Sequence, residues 1–157
     1  MTAFLWTFGI LVLGLAIWWA VRSMLAVDHL LISAWDVLGP SSGRPAHLGQ
    51  TAKGAYKGRD VSIGAVYSGF RGEFMPLPDI RMKLKDTIGY NTNRLPHYAK
   101  IDGKDLVFIP RLNISWGVFD KSFPKIFSKN YLIIALEKML ATAEDLERGR
   151  TLKDLLR

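Results

Sequence analysis

Three basic side chains alternate with apolar ones in the segment DIRMKLKD, residues 79–86. In a β-strand, the spacing of two places Arg81, Lys83 and Lys85 on one face, ~6.6 Å apart along the chain. Three interpretations are open: a solvated face or protected sheet edge, a contact with anionic lipid headgroups that contributes ~1 kcal/mol per cation, or a docking site for an acidic protein. These three residues, which we name the basic face, are the first candidate binding surface.

The basic excess of the chain lies in the same region as this segment. Residues 39–129 contain fifteen basic and seven acidic side chains, whereas residues 130–157 contain five of each. Such an excess also suits nucleic acid, but proteins that recognise nucleic acid normally interleave stacking aromatic residues with the basic ones. Residues 79–86 include no aromatic residue. We therefore do not expect nucleic acid as a partner.

Metal and acid-base chemistry have little support in the residue spacing. The three histidines, His29, His47 and His97, are far apart, and no two have the three- or four-residue spacing that places two imidazoles on one helical face. The chain has no cysteine, which excludes disulfides and thiolate metal sites. We therefore expect no metal and no cofactor.

The common catalytic motifs are also missing. A Walker loop requires two glycines separated by four residues and followed by Lys and Ser or Thr. Gly49 and Gly54 have this spacing, but Ala55 and Tyr56 follow, and Gly54 is better explained as a turn residue. There is no G-x-S-x-G sequence of the hydrolase type. We predict that the protein is not an enzyme, because its catalytic residues would have to be assembled from scattered positions.

An apolar segment near the N-terminus predicts a transmembrane helix. Residues 3–21 contain no charge, and nineteen residues at ~1.5 Å each nearly match a hydrocarbon core of ~30 Å. The alternative is a cleaved signal peptide, which has a basic n-region, a shorter apolar core and an A-x-A-like cleavage site. Only Met1 and Thr2 precede the apolar segment. We predict an uncleaved membrane anchor.

The residues that flank this segment predict its orientation. Trp6 lies near one end of it, and Trp18 and Trp19 lie near the other, as in the aromatic belts of membrane interfaces. Arg22 is the first cation, and Lys and Arg are retained on the cytoplasmic side. The predicted arrangement has the N-terminus outside and the C-terminal domain in the cytoplasm, in a bacterial inner membrane.

Small residues predict a face on which another helix could pack. Gly9, Ala16 and Ala20 follow steps of seven and four, so they share one helical face and allow close approach. The alternative is ordinary composition, because Gly and Ala are common in membrane helices. The segment contains no ionisable residue, and such residues are the usual sign of transport or ligand binding within a membrane.

The segment after the span predicts a second helical region and a linker. Polar residues recur at steps of seven, four and three on one stripe of an otherwise apolar helix: Arg22, His29, Ser33 and Asp36. We expect this helix to continue or restart along the membrane surface and to end at Gly39 and Pro40. The predicted domains are an anchor at 1–27, a juxtamembrane helix and linker at 28–51, and an α+β domain at 52–157.

Alternation and turn residues predict an antiparallel sheet of four to six strands. Lys57-Gly58 marks a turn before a strand at 61–67, and Asp102-Gly103 marks a hairpin turn. Residues 106–109 are apolar on both faces, as in a central strand, and residues 112–118 alternate once more.

The last third of the chain predicts one helix packed on the sheet. Its apolar stripe comprises Leu132, Leu136, Met139, Ala143 and Leu146. Ser128 or Asn130 would cap its start, Gly149 its end, and Thr151 would open a short terminal helix. The predicted fold class is α+β: one N-terminal transmembrane helix, then a small antiparallel sheet domain packed on a C-terminal helix.

By elimination, these features predict a non-catalytic, single-pass accessory or structural subunit that stabilises a multi-subunit membrane complex, of which respiratory and photosynthetic complexes are examples. Its expected partners are other membrane-protein subunits and membrane lipids. The alternative is a membrane-tethered binding or sensing domain whose basic face engages anionic lipid or an acidic protein.

Overall fold

The computed structural model describes residues 2–39, 51–68, 75–85, 95–110 and 123–154. The chain is α+β, as predicted, with one long helix before the sheet and one after it. In chain order the elements are α1 (Thr2–Leu38), β1 (Ala52–Tyr56), β2 (Arg59–Ser68), β3 (Met75–Lys83), β4 (Ala99–Asp102), β5 (Asp105–Phe108), a 3-10 helix (Phe123–Phe127) and α2 (Lys129–Asp154).

The five strands form one antiparallel sheet in the order β1-β2-β3-β5-β4. Two of its connections are two-residue turns at the predicted positions. Lys57 and Gly58 have φ of 48° and 81°, and Gly103 has φ of 62°. Positive φ at such positions matches the twist of a tight hairpin. The pattern of turn residues therefore predicted both hairpins correctly.

Two helices cover one face of the sheet. The C-terminal part of α1 contacts β1, β2 and β3, while α2 contacts β3 and β5. Strand residues Ile63, Ile80 and Leu106 are fully buried beneath them. The predicted stripe of α2 provides the other side of this core: Leu132, Leu136, Met139 and Ala143 are fully buried, and Leu146 packs against them.

The helix α1 runs without a break from the apolar segment into the core of the domain. Leu30, Ala34 and Leu38 belong to the same buried cluster as the sheet residues. This part of α1 was expected to lie along a membrane surface, but its apolar side packs on the sheet. The predicted end of the helix is confirmed, because Gly39 has φ of 83° and its N–H donates to the carbonyl of Trp35 at 2.9 Å.

Gly54 was interpreted as a turn residue, but it lies within β1 where α1 approaches most closely. A Cβ at Gly54 would lie 2.9 Å from the Leu38 Cβ and 3.2 Å from the Leu38 carbonyl oxygen. Gly64 shows the close approach that a glycine within a strand indicates, because its Cβ would lie 2.7 Å from the Thr51 methyl carbon. Gly54 therefore allows the backbone of α1 to pack closely against β1, whereas Gly64 leaves room for the side chain of Thr51 beside it.

The helix α2 begins at the predicted cap and extends beyond its predicted end. The Tyr131 N–H donates to Ser128 Oγ at 3.3 Å, so Ser128 is the N-cap. The helix continues past Gly149 to Asp154, so Gly149 does not end it and no separate helix opens at Thr151. A glycine within a helix costs only ~1 kcal/mol relative to alanine, which does not force an end. The strand predicted at 112–118 and most of the linker lie outside the described residues.

Candidate functional site

The basic face lies on the side of the sheet away from the two helices. Ile80, Met82 and Leu84 are buried in the core, and the intervening Arg81 and Lys83 point to the opposite side. The prediction that the apolar residues of this segment face the core and the basic ones face outward is therefore confirmed. Lys85 follows the end of β3, is exposed, and donates its backbone N–H to Glu147 at 3.3 Å.

Carboxylates from three strands pair with the cations of the basic face. Arg81 Nε donates to Asp79 Oδ2 at 2.9 Å, and Arg81 Nη1 donates to Asp102 Oδ2 at 3.2 Å. Lys83 Nζ lies 3.7 Å from Asp60 Oδ2. The hydrogen bond from Arg81 to Asp79 raises the pKa of the guanidinium further above its ordinary value. Part of this pairing was visible in the sequence, because Asp79 precedes Arg81 by two residues and shares its strand face.

The strand register shows that positive and negative side chains are balanced over the described outer face of the sheet, the face away from the two helices. Its basic side chains within strands are Lys53, Arg81, Lys83 and Lys100. Its acidic side chains within strands are Asp60, Asp79, Asp102 and Asp105. Four charges of each sign at short range largely cancel beyond a Debye length of ~8–10 Å. The described outer face is therefore a mixed surface and not a strongly positive one.

A buried ion pair joins α2 to the start of β2 and the end of β3. The Arg59 guanidinium donates two hydrogen bonds to the Glu147 carboxylate, each of 2.8 Å. The side chains are only 8% and 20% exposed. The hydrogen bonds from Arg59 lower the pKa of Glu147 against the opposing effect of burial. Fork geometry and low exposure indicate a structural clamp, and its partners are too far apart in sequence for periodicity to predict it.

A second carboxylate of α2 contacts the first hairpin turn. Glu137 Oε1 accepts hydrogen bonds from the Tyr56 hydroxyl and from Lys57 Nζ, both at 2.6 Å. The bond to Glu137 raises the pKa of Tyr56 to about 12 and is the largest cause, followed by burial. Lys57 and Tyr56 lower the pKa of Glu137. Glu137 and Glu147 are thus held in the ionised form, which suits docking of the helix and not proton donation.

The residues predicted at the membrane interface differ in burial, because α1 is exposed before Trp19 and packs against the domain from Trp19 onward. Trp6 is 75% exposed and Trp18 is 42% exposed, whereas Trp19 packs against the core of the domain. The Arg22 guanidinium lies 5.1 Å from the centroid of the Trp18 ring. The core of the domain therefore reaches the level of Trp19, directly beside the end of the apolar segment.

The predicted packing face lies on the part of α1 that no other described element covers. Ala16 and Ala20 are exposed. A Cβ built on Gly9 meets no atom within 4 Å. Within the described part of a single chain, this face is open along its length.

Three of the four residues of the polar stripe of α1 line an open cleft of about 510 Å³ beside the start of α2: Arg22, His29 and Ser33. Ser128 and Lys129 complete its polar lining, and Leu25, Ala26 and Phe127 form its apolar lining. The helical spacing predicted that the three α1 residues share a face, but it gave no indication that Lys129 lines the same cleft. Lys129 lies at the end of the cleft away from Arg22, because its Nζ is 4.0 Å from Asp36 Oδ2.

The described residues contain no group of three or more His, Asp or Glu side chains arranged to hold a metal ion. No family model, curated protein or solved structure matches the chain. The candidate sites therefore rest on the geometry of this chain alone: the basic face, the exposed half of α1, and the cleft between α1 and α2.

Proposed function

We propose that the protein is a single-pass membrane protein that acts as a non-catalytic accessory subunit of a larger membrane complex. The observation that carries the proposal is the division of α1 into an exposed apolar half and a half buried in the domain. By length and composition α1 is able to cross a membrane. Residues 2–21 would extend ~30 Å, which matches the hydrocarbon core of a bilayer.

The exposed half of α1 requires an apolar environment. Large apolar side chains with 42% to 75% exposure surround it: Trp6, Phe8, Ile10, Leu11, Val12, Leu13, Leu15, Ile17, Trp18 and Val21. A water-soluble monomer rarely exposes a contiguous apolar patch larger than a few hundred Å². These side chains surround the helix instead of forming one stripe, so lipid on most sides is the natural environment.

The accessory role follows from what the helix offers to other proteins. Its exposed half carries no ionisable side chain from Trp6 to Val21 and so provides no proton relay or ion pathway. It does provide the face formed by Gly9, Ala16 and Ala20, where a second helix could approach closely. The domain would then lie in the cytoplasm of a bacterium at the inner membrane surface, on the side where Arg22 is retained.

The first test is to close the packing face. We expect Gly9→Leu combined with Ala16→Leu to reduce recovery of partner subunits when the protein is purified from mild detergent, because the added side chains keep a neighbouring helix at a distance. The control is Gly14→Leu, which adds one leucine side chain on another face of α1, where a Cβ also meets no atom within 4 Å; Gly9→Leu alone is its single-substitution counterpart. Equal recovery of partners from the double variant and from wild type would contradict the proposal.

The alternative function, a tethered domain that binds through the basic face, has weaker support. Arg81 and Lys83 are already paired with carboxylates, and the outer face is balanced in charge. The same purification separates the two functions. A variant with Arg81, Lys83 and Lys85 changed to Glu should keep its partners if the span makes the contact, and should lose them if the basic face does.

A further inference from the structure

We infer that the cleft between α1 and α2 binds the headgroup of an anionic glycerophospholipid. This inference rests on the proposed membrane anchoring and adds a specific ligand to it. The ligand would have two parts, a phosphodiester in the polar part of the cleft and acyl chains along the exposed half of α1.

The end of the cleft that contains Arg22 matches the headgroup layer in its position along α1. Arg22 lies one turn beyond Trp18, at the end of the apolar segment that is long enough to span the hydrocarbon core. Seven residues separate Arg22 from His29, which corresponds to ~10 Å along the helix. The polar layer on each side of a bilayer is ~5–8 Å thick, because a bilayer of ~40–45 Å has a core of ~30 Å. A phosphate would therefore meet Arg22, and the rest of the headgroup would extend towards His29.

The charge of the cleft suits an anion. Arg22 and Lys129 carry positive charge, His29 and Ser33 add hydrogen-bonding groups, and none of the described residues that line the cleft is acidic. The guanidinium of Arg22 has five donors in a fork that fits phosphate, and its contact with the Trp18 ring holds it at this level. Lys129 Nζ lies 4.0 Å from Asp36, which is fourteen residues or ~21 Å along α1 beyond Arg22, so Arg22 is the cation that meets the phosphate. The amino end of α2 also meets the cleft, but Ser128 caps it, so Arg22 supplies most of the attraction.

The apolar surface beside the cleft suits the acyl chains. Leu25, which lines the cleft, is 54% exposed, and the exposed Val21 and Met24 lie between it and the rest of the apolar half of α1. A phospholipid is the ligand that presents a phosphate and two apolar chains in this order. A free phosphate or an acidic peptide would leave this apolar strip in water.

The test measures phospholipid that stays bound to the full-length protein. The protein is transferred from nanodiscs of phosphatidylcholine and phosphatidylglycerol into neutral detergent, and native mass spectrometry records retained phospholipid. We expect wild type to retain phosphatidylglycerol in preference to phosphatidylcholine. Changing Arg22 to Gln should weaken retention about fivefold, because a cation near a headgroup contributes ~1 kcal/mol.

The matched control removes one charge elsewhere. Lys53→Gln makes the same change in net charge on the outer face of the sheet and should retain phosphatidylglycerol as wild type does. Equal loss from the two variants would overturn the inference, because it would show an effect of net charge alone. A thermal unfolding scan confirms that each variant is folded.

Other outcomes separate this inference from the proposed function. If wild type remains in the membrane fraction but retains no phosphatidylglycerol, the inference fails and the anchoring stands. If the protein is absent from the membrane fraction, both fail. Displacement of the lipid by inorganic phosphate at equal concentration, or an acidic protein bound in place of the lipid, would also overturn it.

Discussion

At the scale of single residues, two carboxylates of α2, Glu137 and Glu147, hold the helix on the sheet. Glu147 forms a two-bond contact with Arg59 and accepts the backbone N–H of Lys85, so it joins three elements. Glu137 contacts the turn between β1 and β2 through Tyr56 and Lys57. Because these partners lie on different strands, the contacts define where α2 lies across the sheet.

Replacing Glu147 by Gln should lower the free energy of unfolding by about 2–3 kcal/mol, because the nearly buried guanidinium of Arg59 then loses its two charge-assisted hydrogen bonds to the Glu147 carboxylate. Chemical unfolding in detergent, followed by circular dichroism, measures the change. The control is Glu144→Gln, which breaks an exposed i,i+4 pair with Arg148 at 3.3 Å and should cost under about 0.5 kcal/mol. Similar losses in the two variants would contradict the assignment of Glu147 as a clamp.

The same carboxylate makes stability depend on acid. Its pKa in the folded protein lies below the ordinary value of 4.5, so its stabilisation is fully present above that pH and is lost as the pH falls through the folded pKa. We therefore expect the free energy of unfolding to decline below about pH 4.5, and less steeply in Glu147→Gln than in wild type. Parallel curves for the two proteins would show that Glu147 does not contribute.

At the scale of elements, the docking of α1 depends on the absence of a side chain at Gly54. The end of α1 passes over β1 so closely that the Leu38 backbone and side chain occupy the space of a Cβ. Since Leu38 is itself buried and ends the helix, neither partner has room to move freely. The fold thus requires a particular residue where the helix enters the domain.

We expect Gly54→Ala to destabilise the domain by about 1–3 kcal/mol, because the overpacked contact forces α1 away from β1. The control is Ala55→Val, which adds bulk at an exposed position of the same strand and should leave stability within about 0.5 kcal/mol. Thermal unfolding of both variants in detergent provides the comparison. A fully stable Gly54→Ala protein would mean that the close approach is not a constraint.

At the scale of the whole molecule, one continuous helix links the apolar segment to the domain. Since α1 has no break between Thr2 and Leu38, the domain cannot rotate freely on a loop at this junction. In the proposed arrangement the domain keeps one orientation relative to the membrane, with Trp19 at the junction packed on the core. Such a connection suits a subunit that holds a defined position in an assembly.

The predicted orientation can be tested because the chain contains no cysteine. A single cysteine introduced by Lys53→Cys, at an exposed position of β1, should react with a membrane-impermeant maleimide only after spheroplasts are lysed. Thr2→Cys should react before lysis. Reaction of Lys53→Cys in intact spheroplasts would place the domain outside and contradict the cytoplasmic location.

Features that depend on neighbouring residues were predictable from the sequence. Each of these features is encoded within a short stretch of sequence, by a helical period of 3.6, a strand period of 2, or turn residues. They are the apolar segment, the α2 stripe, the two hairpin turns and the alternation of residues 80–84. Two local signals were misleading. Gly149 lies within a helix, because a glycine there costs only ~1 kcal/mol, and Gly54 lies within a strand, where Leu38 packs against it.

Only the tertiary structure decided what each surface contacts. The neutralisation of Arg81 and Lys83 depends on Asp60 and Asp102, which strand pairing brings near from other parts of the chain. The packing of the second half of α1 on the sheet, and the position of Lys129 in the same cleft as His29, likewise depend on contacts between distant segments. A one-dimensional pattern records which side chains share a face, whereas the partner of that face is selected by the packing of the whole chain.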